Sequence, residues 1–138
     1  MDPLLFVVAL LVRELPVLSI DADSIVEVVY TLLDNAAKYS PKESKIKVSA
    51  RRAGNESVEI FVEDEGKGVA VEMREKVFSK FFRATETDIH TTASGLGLGL
   101  AIARGIVESQ GGKIWIEDGR GGYVTKAIFT VPIGDDEK

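Results

Sequence analysis

A chain of 138 residues, 45% hydrophobic and 28% charged, is long enough for one globular domain with its own core. A net charge of −5 argues against a nucleic-acid partner, which needs a clustered basic surface, and the lack of cysteine excludes disulfides, thiol chemistry and thiolate metal sites. The longest apolar run, residues 4–12, falls short of the ~20 residues that cross a bilayer and has neither a basic start nor a small-residue cleavage site. Direct membrane insertion is therefore not expected, and the default is a soluble intracellular domain.

Residues 4–12 are rich in valine and end at Arg13-Glu14-Leu15-Pro16, which reads as a buried strand and a turn. An amphipathic helix follows over residues 25–39, with Ile25, Val28, Val29, Leu32, Leu33 and Ala36 on one face. Asp21 or Asp23 is its expected cap, and Ser40-Pro41 ends it. Two alternating segments, 45–51 and 57–63, are joined by Ala53-Gly54-Asn55-Glu56, a hairpin signal. Residues 71–78 form a short, highly charged helix candidate. Residues 84–94 have no periodicity and few large apolar groups, as expected of a mobile loop. A helix over 98–109 stops at Gly111-Gly112. Strands at 113–117 and 127–131, separated by Gly119-Arg120-Gly121-Gly122, complete the domain, and residues 134–138 are an expected disordered tail. Hairpin-paired strands with helices collected among them predict an α+β, two-layer sandwich. Its sheet is mixed and largely antiparallel, covered on one face by about three helices.

The segment with most chemistry is Gly95-Leu96-Gly97-Leu98-Gly99-Leu100, which runs directly into an apolar pattern of helical period. Glycines at that density leave backbone N–H groups open to a phosphate, and the helix start adds further free N–H groups and a positive dipole end. An anion cradle for a nucleotide is one reading; a flexible glycine hinge is the other. Leu100 and Ile102 stand where a dinucleotide fingerprint requires its third glycine, and no Gly-Lys-Ser/Thr follows for a Walker loop.

Three other motifs precede it in order. They are Leu32-Leu33-Asp34-Asn35-Ala36-Ala37-Lys38-Tyr39-Ser40, Asp64-Glu65-Gly66-Lys67-Gly68 and Phe78-Ser79-Lys80-Phe81-Phe82-Arg83. Together the four resemble the N, first glycine, F and second glycine boxes of the superfamily shared by gyrase, Hsp90, histidine kinases and MutL. The pattern is most similar to the catalytic, ATP-binding domain of sensor histidine kinases, over roughly residues 15–133. Each box alone is weak; four in order at compatible spacing are specific.

The resemblance implies ATP as the nucleotide and Mg2+ as its cation. It also assigns roles. Asp64 is the acceptor for the adenine amino group, because an ionised carboxylate only accepts hydrogen bonds. Gly66 and Gly68 let the backbone pass under the base. Asn35 offers a neutral oxygen to Mg2+, which prefers oxygen donors and keeps several waters. Lys38, on the same helix face, reaches a phosphate, and Tyr39 packs on the base. Asn35 and Lys38 are thus the expected catalytic residues. Phe82 and Arg83 reach the nucleotide from the root of a lid over residues 84–94, Phe78 and Phe81 anchor that lid in the core, and Gly95, Gly97, Leu98, Gly99 and Leu100 cradle the phosphates. The blander readings are a turn aspartate for Asp64, a backbone-bonded helix asparagine for Asn35 and a surface lysine for Lys38.

The N box departs from the family's pattern at Thr31, where histidine kinases usually carry a second asparagine and the hydrolases of the superfamily a glutamate. A threonine hydroxyl is a poor general base near neutral pH. That favours phosphoryl transfer to an external acceptor over hydrolysis and leaves Mg2+ affinity open. The family's acceptor is a histidine on a helical dimerisation domain, which this sequence does not contain, and a response regulator acts downstream. The one histidine, His90, lies in the expected lid and is read as a solvated loop residue. The resemblance thus implies the catalytic module of a two-component signal-transduction protein, cytoplasmic, alone or as part of a membrane-bound sensor. Alternatives are a serine kinase that binds a sigma factor, a degenerate ATP-sensing module without chemistry, and self-association through an apolar edge strand at residues 4–12.

Overall fold

The computed structural model describes residues 22–79 and 98–133, and the backbone of 7–12. Phe81, Phe82, Arg83, the expected lid 84–94 with His90, Gly95, Gly97 and the expected tail 134–138 lie outside these residues.

Five strands form one sheet in the order β1-β2-β3-β5-β4. They are β1 (Val7–Val12), β2 (Lys45–Ala53), β3 (Ser57–Asp64), β4 (Ile114–Asp118) and β5 (Thr125–Pro132). The strand expected from the valine-rich run is β1, at the edge beside β2, and that pair is parallel. The pairs β2–β3, β3–β5 and β4–β5 are antiparallel. The β2–β3 hairpin follows the alternation read from the sequence, with Val48 opposite Val62 and Ala50 opposite Ile60.

Alternation puts one set of side chains from β2, β3, β4 and β5 into a common core. Ile46, Val48, Val58, Ile60, Phe129 and Val131 are buried there. The opposite face of the sheet carries cross-strand ion pairs, Lys47–Glu63 at 3.2 Å and Arg51–Glu59 at 3.0 Å. There Phe61 lies under both Arg51 and Lys126, their charged groups 5.5 and 4.2 Å from the ring centre.

Among the described residues, two α-helices cover the core face. Helix α1 (Ala22–Tyr39) buries Val28, Leu32 and Ala36, with Ile25, Val29 and Leu33 packed at the rim. The fold thus uses the whole apolar face seen in the sequence. Asp23 lies within the first helical turn rather than before it, so it acts on the helix dipole and is not the N-cap. Helix α2 (Gly99–Ser109) buries Ala103 and Val107 and packs beside α1. The amides of Gly111 and Gly112 close its end by donating to the carbonyls of Glu108 (3.0 Å) and Val107 (2.9 Å).

The short helix expected over residues 71–78 is two 3-10 helices, Val71–Met73 and Lys76–Phe78, rather than one α-helix. Only Phe78 is fully buried in this strap, with Val77 packed at the core's rim, which is little apolar surface to stabilise a longer helix. The strap is held instead by long-range contacts of Arg74, which donates to the Val69 carbonyl at 2.9 Å and pairs with Asp118 at 2.6 Å. The architecture is an α+β sandwich of a mixed, largely antiparallel sheet with a helical layer on one face.

Close packing makes the core sensitive to small deletions. Ile46 is 2% exposed, and Ile46→Val is expected to cost about 0.5–1.5 kcal/mol, measured as a lower midpoint in urea with an unchanged slope.

Candidate functional site

The end of α1 brings Asn35, Lys38 and Tyr39 onto one side of the helix, since residues three and four apart are neighbours. Asn35 and Lys38 are half-buried, and Tyr39 is 36% exposed. The Lys38 ammonium lies 5.6 Å from the centre of the Tyr39 ring. Beside this helix end, β3 ends at Asp64 and the chain turns through Gly66 and Gly68.

The junction is tight. A Cβ on Gly66 would stand 2.9 Å from both Asp64 Oδ1 and the Tyr39 carbonyl oxygen. Any side chain there would push α1 away from the turn, and glycine allows the approach. Gly68 has φ +82°, a conformation that L side chains rarely adopt, and it lies against Val124 at the start of β5. Gly66→Ala is expected to weaken nucleotide binding while leaving the β2–β3 hairpin intact, measured by titration alongside circular dichroism.

Asp64 is the chemically distinctive group of this corner. Partial burial pushes its pKa above the usual carboxylate value. The Gly66 amide opposes that shift by donating to Oδ1 at 2.8 Å, and the neighbouring Ser40 hydroxyl also favours the anion. The Ser40 oxygen is itself buried and completes no hydrogen bond of good geometry among the described residues, and Ser44 is in the same position. The Asp64 carbonyl accepts the Val124 amide at 2.7 Å, and Thr125 is the cross-strand partner of Asp64. One carboxylate oxygen is thus fixed by the backbone, and the corner holds hydroxyl groups able to donate.

The sequence places Ser40 at the helix stop and at the end of the N-box motif but gives it no role toward Asp64, and Thr125 becomes adjacent to Asp64 only through the β3–β5 register. Both contacts join distant segments, which local pattern does not carry.

At the other expected pole, Leu98 occupies the cap position of α2 with no capping side chain. Its carbonyl accepts the Ile102 amide at 2.9 Å. Among the described residues no side-chain cap competes for the amides of the first turn, where Gly99 and Leu100 lie. The structure thus joins Tyr39, Asp64, Gly66 and Gly68 at one corner and sets α2 alongside α1, while Phe82, Arg83, Gly95 and Gly97 stay outside the described residues. No group of three or more histidine, aspartate or glutamate side chains suited to a metal ion occurs among the described residues.

Comparison with known proteins shows the family and the fold. Residues 20–135 match the family model of the histidine kinase-, DNA gyrase B- and HSP90-like ATPases. The chain belongs to that family. It is 37% identical over 120 residues to the adaptive-response sensory kinase SasA of Thermosynechococcus vestitus, covering 87% of this chain and 30% of that protein. It is 35% identical over 134 residues to the sensor histidine kinase WalK of Bacillus subtilis, covering 92% of this chain and 21% of that one. The chain thus spans less than a third of the length of these relatives. Among solved structures it superposes on the mycobacterial sensor histidine kinase MprB with a TM-score of 0.75 at 29% identity, covering 92% of this chain and 81% of that one. Full-length ShkA in complex with AMPPNP gives 0.76 at 25% identity, covering 94% and 26%. The fold and family are those of the ATPase domain of sensor histidine kinases. No helix among the described residues is long and apolar enough to cross a membrane.

Proposed function

We propose that this chain is a single ATP-binding catalytic domain that donates the γ-phosphoryl group of ATP to a histidine on a separate helical dimerisation domain. The observation that carries the reading is the corner formed by Asp64, Gly66 and the Tyr39 carbonyl. It presents a partly desolvated acceptor beside a backbone cleared of side chains. An exocyclic amino group is the complementary donor, and AMPPNP in the ShkA complex is an adenine nucleotide. The uncapped first turn of α2 offers N–H groups for the phosphates.

With Mg2+ the donor set is small. Asn35 would supply one neutral oxygen, and phosphates and water would supply the rest, which matches how this ion is usually bound. The ion would neutralise phosphate charge. The chain's own residues do the positioning: Asp64 holds the base, Lys38 approaches the phosphates, and Phe82 and Arg83 are assigned to the nucleotide by family resemblance. In the transfer, the bond from the γ-phosphorus to the bridging oxygen breaks as the P–N bond to the imidazole forms. The attack comes from the ring nitrogen that carries the lone pair; ADP leaves, and the other ring nitrogen gives up its proton to solvent. Such a step is mostly positioning and charge stabilisation.

The test is a titration with labelled ATP, with and without Mg2+, followed by addition of a cognate helical dimerisation domain. Saturable binding and acid-labile label on the added partner support the reading. No binding would overturn it, and acid-stable label would favour a serine acceptor. A downstream response regulator belongs to the same proposal.

A further inference from the structure

Helix α2 carries the proposed phosphate-binding turn, yet its contacts with the core, Ala103 and Val107 fully buried and Leu100 and Ile106 at the rim, are all apolar. Apolar packing is not directional, so it does not by itself fix how far the helix is advanced along its axis. A directional contact exists one to two turns along, at Arg104. Its Nη1 pairs with Glu75 Oε1 at 2.8 Å, and its Nε donates to Glu108 Oε2 at 3.1 Å. Its guanidinium lies 5.5 Å from the ring centre of Phe78, which is 4% exposed. Glu75 and Phe78 both belong to the strap of 3-10 turns, which Arg74 fastens to Asp118 at the end of β4.

We propose that Arg104 is a positioning residue for the nucleotide phosphates. Clamped between Glu75 and the buried Phe78, it fixes the first turn of α2 against the strap and so against the sheet. The planar guanidinium suits the task, because it meets two carboxylates through fixed N–H directions while lying within cation–π range of a ring. A lysine offers a point charge without the planar fork. Arg104 touches no nucleotide in this account; it acts through Leu98, Gly99 and Leu100. The inference rests on the ATP-binding reading and adds to it a specific dependence: the clamp supports the phosphates and not the base, whose corner lies at Asp64.

That split supplies the test. The full chain, Arg104→Ala and Glu75→Ala are titrated separately with ATP and with adenosine, and their thermal midpoints are recorded. Glu75 is 74% exposed in its side chain, so its removal tests the clamp without emptying the core. Both variants are expected to lose about three- to tenfold in ATP affinity, the scale of a partly exposed ion pair and a cation–π contact, with adenosine affinity unchanged. Arg104→Lys, which keeps the charge but not the forked guanidinium, is expected to recover only part of the ATP affinity. Equal losses for ATP and adenosine would show a general structural role and overturn the inference, as would unchanged ATP affinity in both single variants. A parent chain that binds neither ligand would instead overturn the ATP-binding reading itself.

Discussion

Replacing Asp64 with alanine is expected to weaken ATP binding about ten- to a hundredfold, because a charge-assisted hydrogen bond in a partly desolvated corner is worth about 1.5–3 kcal/mol. Asp64→Asn separates binding from folding. The amide oxygen still accepts the Gly66 N–H, so the turn is kept, but the negative charge that meets the adenine amino group is gone. Its effect on stability has a defined sign. Burial raises the folded-state pKa of Asp64 above its unfolded value, so the folded protein holds the proton more tightly. The resulting contribution is present in full below the unfolded pKa and is lost as pH rises through the folded one. At neutral pH the ionised group is therefore a stability cost, and Asp64→Asn is expected to be at least as stable as the parent while binding ATP more weakly. The same raised pKa sets the pH profile of binding. Adenosine, which has no phosphates to titrate, should lose affinity on acidification sooner than an exposed carboxylate would dictate. A parent-like ATP affinity in both variants would remove Asp64 from the site.

The largest expected effect is on transfer. With a cognate helical dimerisation domain supplied, the parent chain should label that partner with acid-labile phosphate, and Asn35→Ala should abolish the labelling. The reason is the small donor set: Asn35 is the one protein oxygen assigned to Mg2+, so its loss leaves the ion to phosphates and water alone. His90→Ala should change nothing, since His90 is not assigned to the acceptor role. Without the partner, the chain should bind ATP, hydrolyse it very slowly and leave itself unlabelled. Thr31 stands where a hydrolase of this superfamily carries a glutamate, and a hydroxyl does not serve as the base for water. Label on the isolated chain that disappears in His90→Ala would overturn this assignment.

How much of this was legible beforehand follows from what each signal encodes. Helix α1 and the β2–β3 hairpin were readable because their side chains alternate between core and solvent, and burial imprints that period directly on the residues. The order of the motifs sufficed to indicate the family, because each glycine or carboxylate is tied to a local backbone need. Asp64 and Gly66 are an example, joined by a hydrogen bond across two residues.

Where the energy lies in contacts between distant segments, the sequence alone was not enough. The parallel pairing of β1 with β2 and the placing of β5 between β3 and β4 are sheet-level choices. The strap at 71–78 had helix-like charge but became two 3-10 turns, because Arg74, Glu75 and Phe78 find their partners on β4 and α2 rather than within the segment. The same holds for the site. Ser40 and Thr125 gained a place beside Asp64, and Arg104 one beside Phe78, only when packing closed the space between them. Local pattern records which face of an element is buried; only the tertiary structure decides what that face meets.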